Sequence, residues 1–241
     1  MRVDACISAA DVTAERVLHK NCVVIDVFRA TSVIVAAMGA GVARMIPVVN
    51  VEEAFAMRKS LAQRGHCTLI GGERNTVRVE GFDKGNSPES YTGADVKGVT
   101  VIFTTTNGTR AINNARAAHR IYIGAILNAR AVAERVMADG RDVVLVCSGR
   151  EGNYTLEDAL CAGMIADLMQ QAQPDLFMSD IARTMRDVYA LYRHDLREGL
   201  KYCLHYNHIM DRGLQDDVTY CLQENISDTV PYVDELFNIV V

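Results

Sequence analysis

The 241 residues are 49% hydrophobic and 23% charged, a balance that can bury a core and excludes a disordered or collagen-like chain. The formal net charge of -5 argues against nucleic acid as a partner, since that role favours basic surfaces. Seven cysteines, an odd number with no C-x-x-C pair, exclude a fully paired disulfide framework and read as reduced core thiols of a cytoplasmic protein.

The opening MRVDACISAADVTAE carries charges where a secretory signal would be apolar. From there, short apolar runs alternate with helical patterns. Strands are expected at 3–8, 22–28, 44–49, 67–71, 99–104, 120–124 and 142–148, and helices at 31–41, 51–64, 107–117, 128–139 and 155–171. Several of the strand runs are continuously apolar rather than alternating, which suits strands covered on both faces. The helix at 51 has a conventional start, with Asn50 as cap and Glu52 and Glu53 in its first turn. The stretch ATSVIVAAMGAGVA (30–43) is shorter than the roughly 20 residues of a membrane span, so no membrane role is expected. Residues 72–98 read as a long glycine-bearing loop, a length that signals either a functional or a disordered segment. From 179 to 223 the pattern is mostly helical, with breaks expected near Gly199 and Gly213, and the terminal FNIVV is a candidate last strand. The expected fold is α/β, with a largely parallel sheet. It occupies 1–241 as one domain, or as two lobes with the part 179–241 mostly helical.

Three strand-to-helix loops share a design. RATS follows the run at 22–28, TTTNGTR follows that at 99–103, and SGREGNYTLED follows that at 142–147. Helix N-termini present free N–H groups and partial positive charge, and ligands of open α/β sheets sit where such loops gather. Arg29, Arg110 and Arg150 stand at these helix starts, where a cation is disfavoured by roughly 0.3–1 kcal/mol. Either each side chain swings into solvent, or an anion lies between guanidinium and helix end. Three such arginines favour the anion. Thr31, Ser32, Thr105, Thr106 and Asn107 are the accompanying donors. In GNSPESY, Ser87 reads as an N-cap before Pro88, and Asn86 and Ser87 are further donors.

Asp26 interrupts an apolar run beside Arg29, and Glu73 and Arg74 follow another strand. A buried acid needs a pair, hydrogen bonds or a metal, so a plain Asp26–Arg29 ion pair is the structural alternative to a site. Asp158 is a third carboxylate, although Thr155 and Asp158 have capping-box spacing, which offers a structural role instead. Carboxylates gathered with arginines and hydroxyls suit one Mg²⁺ plus a phosphate, with Asp26 and Glu73 as ligands or water-handling groups, and attack either by water or through a covalent aspartyl-phosphate. The histidines lack zinc-ligand spacing. There is no Walker A motif, and GAGVAR (39–44) lies at a helix end rather than after a strand. Phe28 stands where a second aspartate would mark a haloacid-dehalogenase-type phosphatase, and Asn153 where a cysteine phosphatase needs arginine.

The segments VVIDVFRATS (23–32), GGER (71–74), GFDKGNSPESY (81–91), TTTNGTRA (104–111) and LEDALCAG (156–163) resemble, in order, those of the 2-phosphosulfolactate phosphatase family. The resemblance implies a three-layer α/β/α fold with a mixed sheet. It also implies a Mg²⁺-dependent phosphohydrolase acting on 2-phosphosulfolactate, a step towards coenzyme M. The substrate would carry phosphate, carboxylate and sulfonate on three carbons; a homodimer is compatible. In LHYNHIMDRGLQDDVTYC (204–221), His205, Gly213 and Asp217 fit the resemblance, whereas glycine is expected in place of Tyr206 and of part of NTVRVE (75–80), so a related small phospho-acid is the variant of this reading. A non-catalytic anion-binding or regulatory protein is the rival.

Overall fold

The computed structural model describes all 241 residues. The strands are β1 (Arg2–Cys6), β2 (Asn21–Ile25), β3 (Arg44–Pro47), β4 (Thr68–Arg74), β5 (Val77–Arg78), β6 (Thr100–Thr104), β7 (Arg120–Gly124), β8 (Val143–Cys147), β9 (Phe177–Met178), β10 (Tyr232–Val233) and β11 (Ile239–Val240). The helices are α1 (Ala14–Val17), α2 (Ala30–Gly39), α3 (Val51–Gln63), α4 (Gly108–Asn114), α5 (Ala129–Asp139), α6 (Leu156–Ala172), α7 (Asp180–Tyr192), α8 (Leu196–Leu200), α9 (Leu204–Asp211) and α10 (Gln215–Cys221).

One mixed sheet runs in the order β5-β4-β6-β3-β11-β10-β7-β2-β8-β1-β9. It contains two parallel blocks, β4-β6-β3 and β7-β2-β8-β1-β9. The hairpin β10–β11 is antiparallel to β7 and to β3, and joins the blocks. The continuously apolar runs are explained by burial on both faces. In β2, Val23 and Ile25 enter one core with Leu145 and helices α5–α7, while Cys22 and Val24 enter another with α2 and α4. Ile70 and Ile102 pack under α3 in a third, smaller cluster. Helices thus cover the sheet on both sides, as a three-layer α/β/α fold requires.

Asn50 caps α3 by accepting from the Glu53 amide at 2.8 Å, and the Glu53 carboxylate accepts in return from the Val49 amide. Gly213 separates α9 from α10 with φ of 74°. Gly199, by contrast, lies inside α8, where a Cβ would fall 2.7 Å from the Tyr192 ring. The break comes earlier, at 193–195, where Asp195 caps α8. The 72–98 stretch is also more ordered than a loop. It holds the end of β4, the strand β5 and two short 3₁₀ turns at Pro88–Tyr91 and Ala94–Val96. The two-residue strands β5, β9 and β10 are too short for side-chain alternation to reveal them.

Candidate active site

Asp26 lies one residue beyond β2, where the chain turns into α2. Its Oδ1 accepts from the Ala30 amide at 3.2 Å. Thr31 Oγ1 bonds the Asp26 backbone at 2.9 Å, and Ser32 Oγ donates to the Val27 carbonyl at 2.9 Å. These two hydroxyls therefore build the turn and do not face the pocket. Burial pushes Asp26 up to about 6; the Ala30 N–H works against this, and the neighbouring Glu73 adds to it. Glu73, at the end of β4, accepts from the Thr106 amide (2.9 Å) and hydroxyl (3.0 Å) through Oε1, and from the Thr76 amide (2.7 Å) through Oε2. It thereby ties three segments together.

One polar pocket receives Asp26, Arg29, Glu73, Asn86, Thr105, Thr106, Asn107 and Arg150. It also receives Phe28, Asn75, Thr76, Glu151, His205, His208 and Ile209. Arg29 is buried, but not against Asp26. Its Nη1 pairs with Asp217 of α10, and its Nη2 donates to the Thr76 carbonyl at 3.2 Å. Ser87 donates to the same Asp217 carboxylate rather than capping the turn it precedes. Arg74 braces the β4 end against Val49 and Thr104 and lies outside the pocket. Arg110 is exposed and also outside. It sits two positions after Gly108, which faces Asp26, so the helix turn of about 200° carries it to the far side. At the starts of α2 and α4, some of the N–H groups are already taken. Ala30 and Thr106 amides already bond the two carboxylates, and the Thr109 amide bonds Thr105 Oγ1.

Asp158 does not line the pocket and does not complete a capping box. Thr155 Oγ1 is buried without a partner. Asp158 instead accepts from the Val27 amide (2.8 Å), the Gly149 amide (3.0 Å) and Ser148 Oγ (3.2 Å). It fastens the Asp26 loop to the loop after β8. Burial, Glu157 and Asp26 push it up to about 8.

No cluster of three or more His, Cys, Asp or Glu forms a complete metal cage. A Mg²⁺ site with waters and substrate oxygens does not need one. Asp26 and Glu73 converge, and the Asn86 Oδ1 beside them is buried with no partner. That donor set, two carboxylates and an orphaned amide oxygen, fits a hard cation.

The sequence model of the 2-phosphosulpholactate phosphatase family matches residues 6–235. The chain belongs to this family. It is 42% identical over 231 residues to the "Probable 2-phosphosulfolactate phosphatase" of Clostridium acetobutylicum, covering 96% of this chain and 97% of that one. The protein of the same description from Clostridium novyi is 42% identical, with 96% of each chain covered. That from Caldicellulosiruptor saccharolyticus is 39% identical over 225 residues, with 91% of each covered.

Phe28, Asn75, Thr76 and Glu151 join this phosphatase-family pocket from beside the expected residues, and a further group comes from far along the chain. His205, His208 and Ile209 share one face of α9, a spacing of three and four that marks a common helix face but not what it meets. Tyr206 turns away into the core against Phe28, with ring centroids 6.3 Å apart, and does not line the pocket. Gly108 was also passed over. A Cβ there would lie 2.5 Å from Ala30 Cβ and 2.8 Å from Asp26 Oδ2. Gly108→Ala should therefore displace Asp26 or separate α4 from α2, with activity falling by about 100-fold and stability by about 1–3 kcal/mol. Kinetics and a denaturant melt on the variant check this, and near-native values for both would contradict it.

Proposed function

We propose that the chain hydrolyses 2-phosphosulfolactate, or a closely related small phosphorylated carboxylic acid, to the alcohol and phosphate, with Mg²⁺ held by Asp26 and Glu73. Family membership supports the reaction class, and the relatives' names supply the substrate. The observation that carries the metal is the placing of two carboxylates beside Arg29 and Arg150 in one pocket. Carboxylates repel a phosphorylated dicarboxylate-like ligand unless a cation stands between them. Mg²⁺ bound there would polarise the phosphoryl group and acidify a water.

The chain's own residues do the rest. Arg29, fixed by Asp217 and the Thr76 carbonyl, presents its remaining guanidinium edge to an anionic oxygen. Arg150, less buried, is placed for a second anionic group, and Thr105, Asn107 and Asn86 add neutral donors around it. Asp158 and Glu73 hold the loops bearing these groups in register. A substrate with three anionic groups matches a pocket with two guanidiniums and a cation site better than phosphate alone does. No helix is long and apolar enough to cross a membrane, and all seven cysteines are free, five of them buried. We place the protein in the cytoplasm on that basis. A homodimer and the absence of a nucleic-acid partner belong to the same reading, the latter on the net charge of -5.

The test is phosphate release from synthetic 2-phosphosulfolactate. Release should require Mg²⁺, fall to background in EDTA and return when Mg²⁺ is restored. Binding of sulfolactate or phosphate without any release under Mg²⁺ would overturn the enzyme in favour of a small-anion binding protein of the same fold.

A further inference from the structure

A phosphomonoester of a secondary alcohol leaves as a strongly basic alkoxide, so its departure calls for a proton donor. In the pocket, Asp26 and Glu73 are given to the cation and the water, and the arginines do not release protons at working pH. Two histidines remain. His208 is held below the ordinary imidazole range by burial, Arg150 and Arg212, which leaves it a poor acid reservoir. His205 is different. Its Nδ1 is bonded to Glu157 Oε1, and no protein group bonds its Nε2. The Glu157 side chain is 1% exposed, and its second oxygen has no partner. A buried carboxyl with one oxygen left unbonded is a costly arrangement unless the pairing with His205 serves a purpose. The Phe28 and His205 rings pack edge to face, with centroids 6.3 Å apart and an interplanar angle of 64°.

We propose that His205 is the general acid of the reaction, with Glu157 as the residue that positions it. This rests on the phosphatase reading above. The His205 Nε2 proton passes to the bridging ester oxygen as the P–O bond breaks and its electron pair stays on that oxygen. A bond forms from the attacking water to phosphorus. The proton that water gives up restores the imidazolium through solvent, so the sum is ester plus water giving alcohol plus hydrogen phosphate. The groups facing His205 are Glu157 and Asp158 from α6, Asp26 from the β2 loop, Arg150 from the β8 loop and His208 on its own helix. Burial alone would lower His205, but the charges facing it, chiefly the Glu157 carboxylate bonded to Nδ1, hold the ring above its ordinary value. The acid form therefore persists towards neutral pH.

The experiment is the pH profile of kcat for 2-phosphosulfolactate with Mg²⁺, on the wild type, His205→Gln and Glu157→Gln. His205→Gln should lose about 100-fold or more in kcat with KM little changed, and lose the alkaline limb of the profile. Glu157→Gln should keep more activity and move that limb to lower pH, because the imidazolium loses its counter-charge. A His205→Gln enzyme within fivefold of wild type, or an alkaline limb that stays in place in Glu157→Gln, overturns the assignment. If His205→Gln fails to fold, the Glu157→Gln limb decides alone. A wild type that releases no phosphate overturns the phosphatase reading and this assignment together, whereas an active wild type with indifferent variants overturns only the role of His205.

Discussion

Asp26→Asn should lower phosphate release by about a thousandfold or more, close to 4 kcal/mol of transition-state stabilisation, while leaving the fold intact. The asparagine keeps the shape of the side chain, and its oxygen can still accept from the Ala30 amide. What it loses is the charge that would hold a cation against the phosphoryl group. Two further readings separate this from simple damage. First, the Mg²⁺-dependent rise in melting temperature expected of the wild type should shrink in the variant, since ligand stabilisation follows affinity. Second, without metal the variant should be the more stable protein at pH 8. Burial raises the carboxyl from its ordinary 3.8 to about 6. An acid raised in the folded state takes up protons on folding. Its ionisation therefore weakens the fold progressively as the pH rises from about 4 to about 6. In EDTA, the gap between Asp26→Asn and wild type should be wide at pH 8 and close as the pH falls below 5. Hydrolysis that survives the substitution largely intact would remove Asp26 from the chemistry.

The longer strands were legible because they are covered on both faces, which gives apolar runs such as CVVI or VVLVC, and β7 begins and ends where its run does. Asp26 was legible for the same reason, as the one residue that breaks such a run. The arginines were harder. Sequence places Arg29, Arg110 and Arg150 at equivalent helix starts, but it does not show helix phase. Gly108 can face Asp26 because it has no side chain to collide there, and that helix phase puts Arg110 on the other side. The hydroxyls mislead in a similar way. Thr31 and Ser32 look like anion donors, yet a tight turn after a strand has its own carbonyls to satisfy, and they take them. His205 and Asp217 fit the family resemblance, but nothing near them in the sequence says what they meet. Each is one polar residue on a short amphipathic helix, and its meaning comes from a partner 48 or 188 residues away.

That last distance sets up the second large effect. Asp217→Ala should destabilise the protein by about 3–5 kcal/mol, because it strands a guanidinium that is as buried as the core. The Arg29 and Asp217 side chains are 3% and 6% exposed, so water cannot replace the lost partner cheaply. Ser87 Oγ loses its acceptor as well, and Arg29 keeps only the Thr76 carbonyl at 3.2 Å. For a chain of this size the loss corresponds to a fall in melting temperature of roughly 10 °C. Activity should fall too, mainly as a rise in KM, since Arg29 would no longer be held at the pocket wall beside Asn86. The double variant Arg29→Met with Asp217→Leu separates the two consequences. Removing both charges should restore much of the stability, because apolar residues of similar volume avoid the desolvation that the ion pair must overcome. It should not restore activity, because the guanidinium itself is then gone. An Asp217→Ala protein within 1 kcal/mol of wild type would mean the pair is not closed in solution. A double variant that recovers full turnover would mean Arg29 only braces α10 against the Asp26 loop, and the anionic substrate would then depend on Arg150 alone among the pocket's arginines.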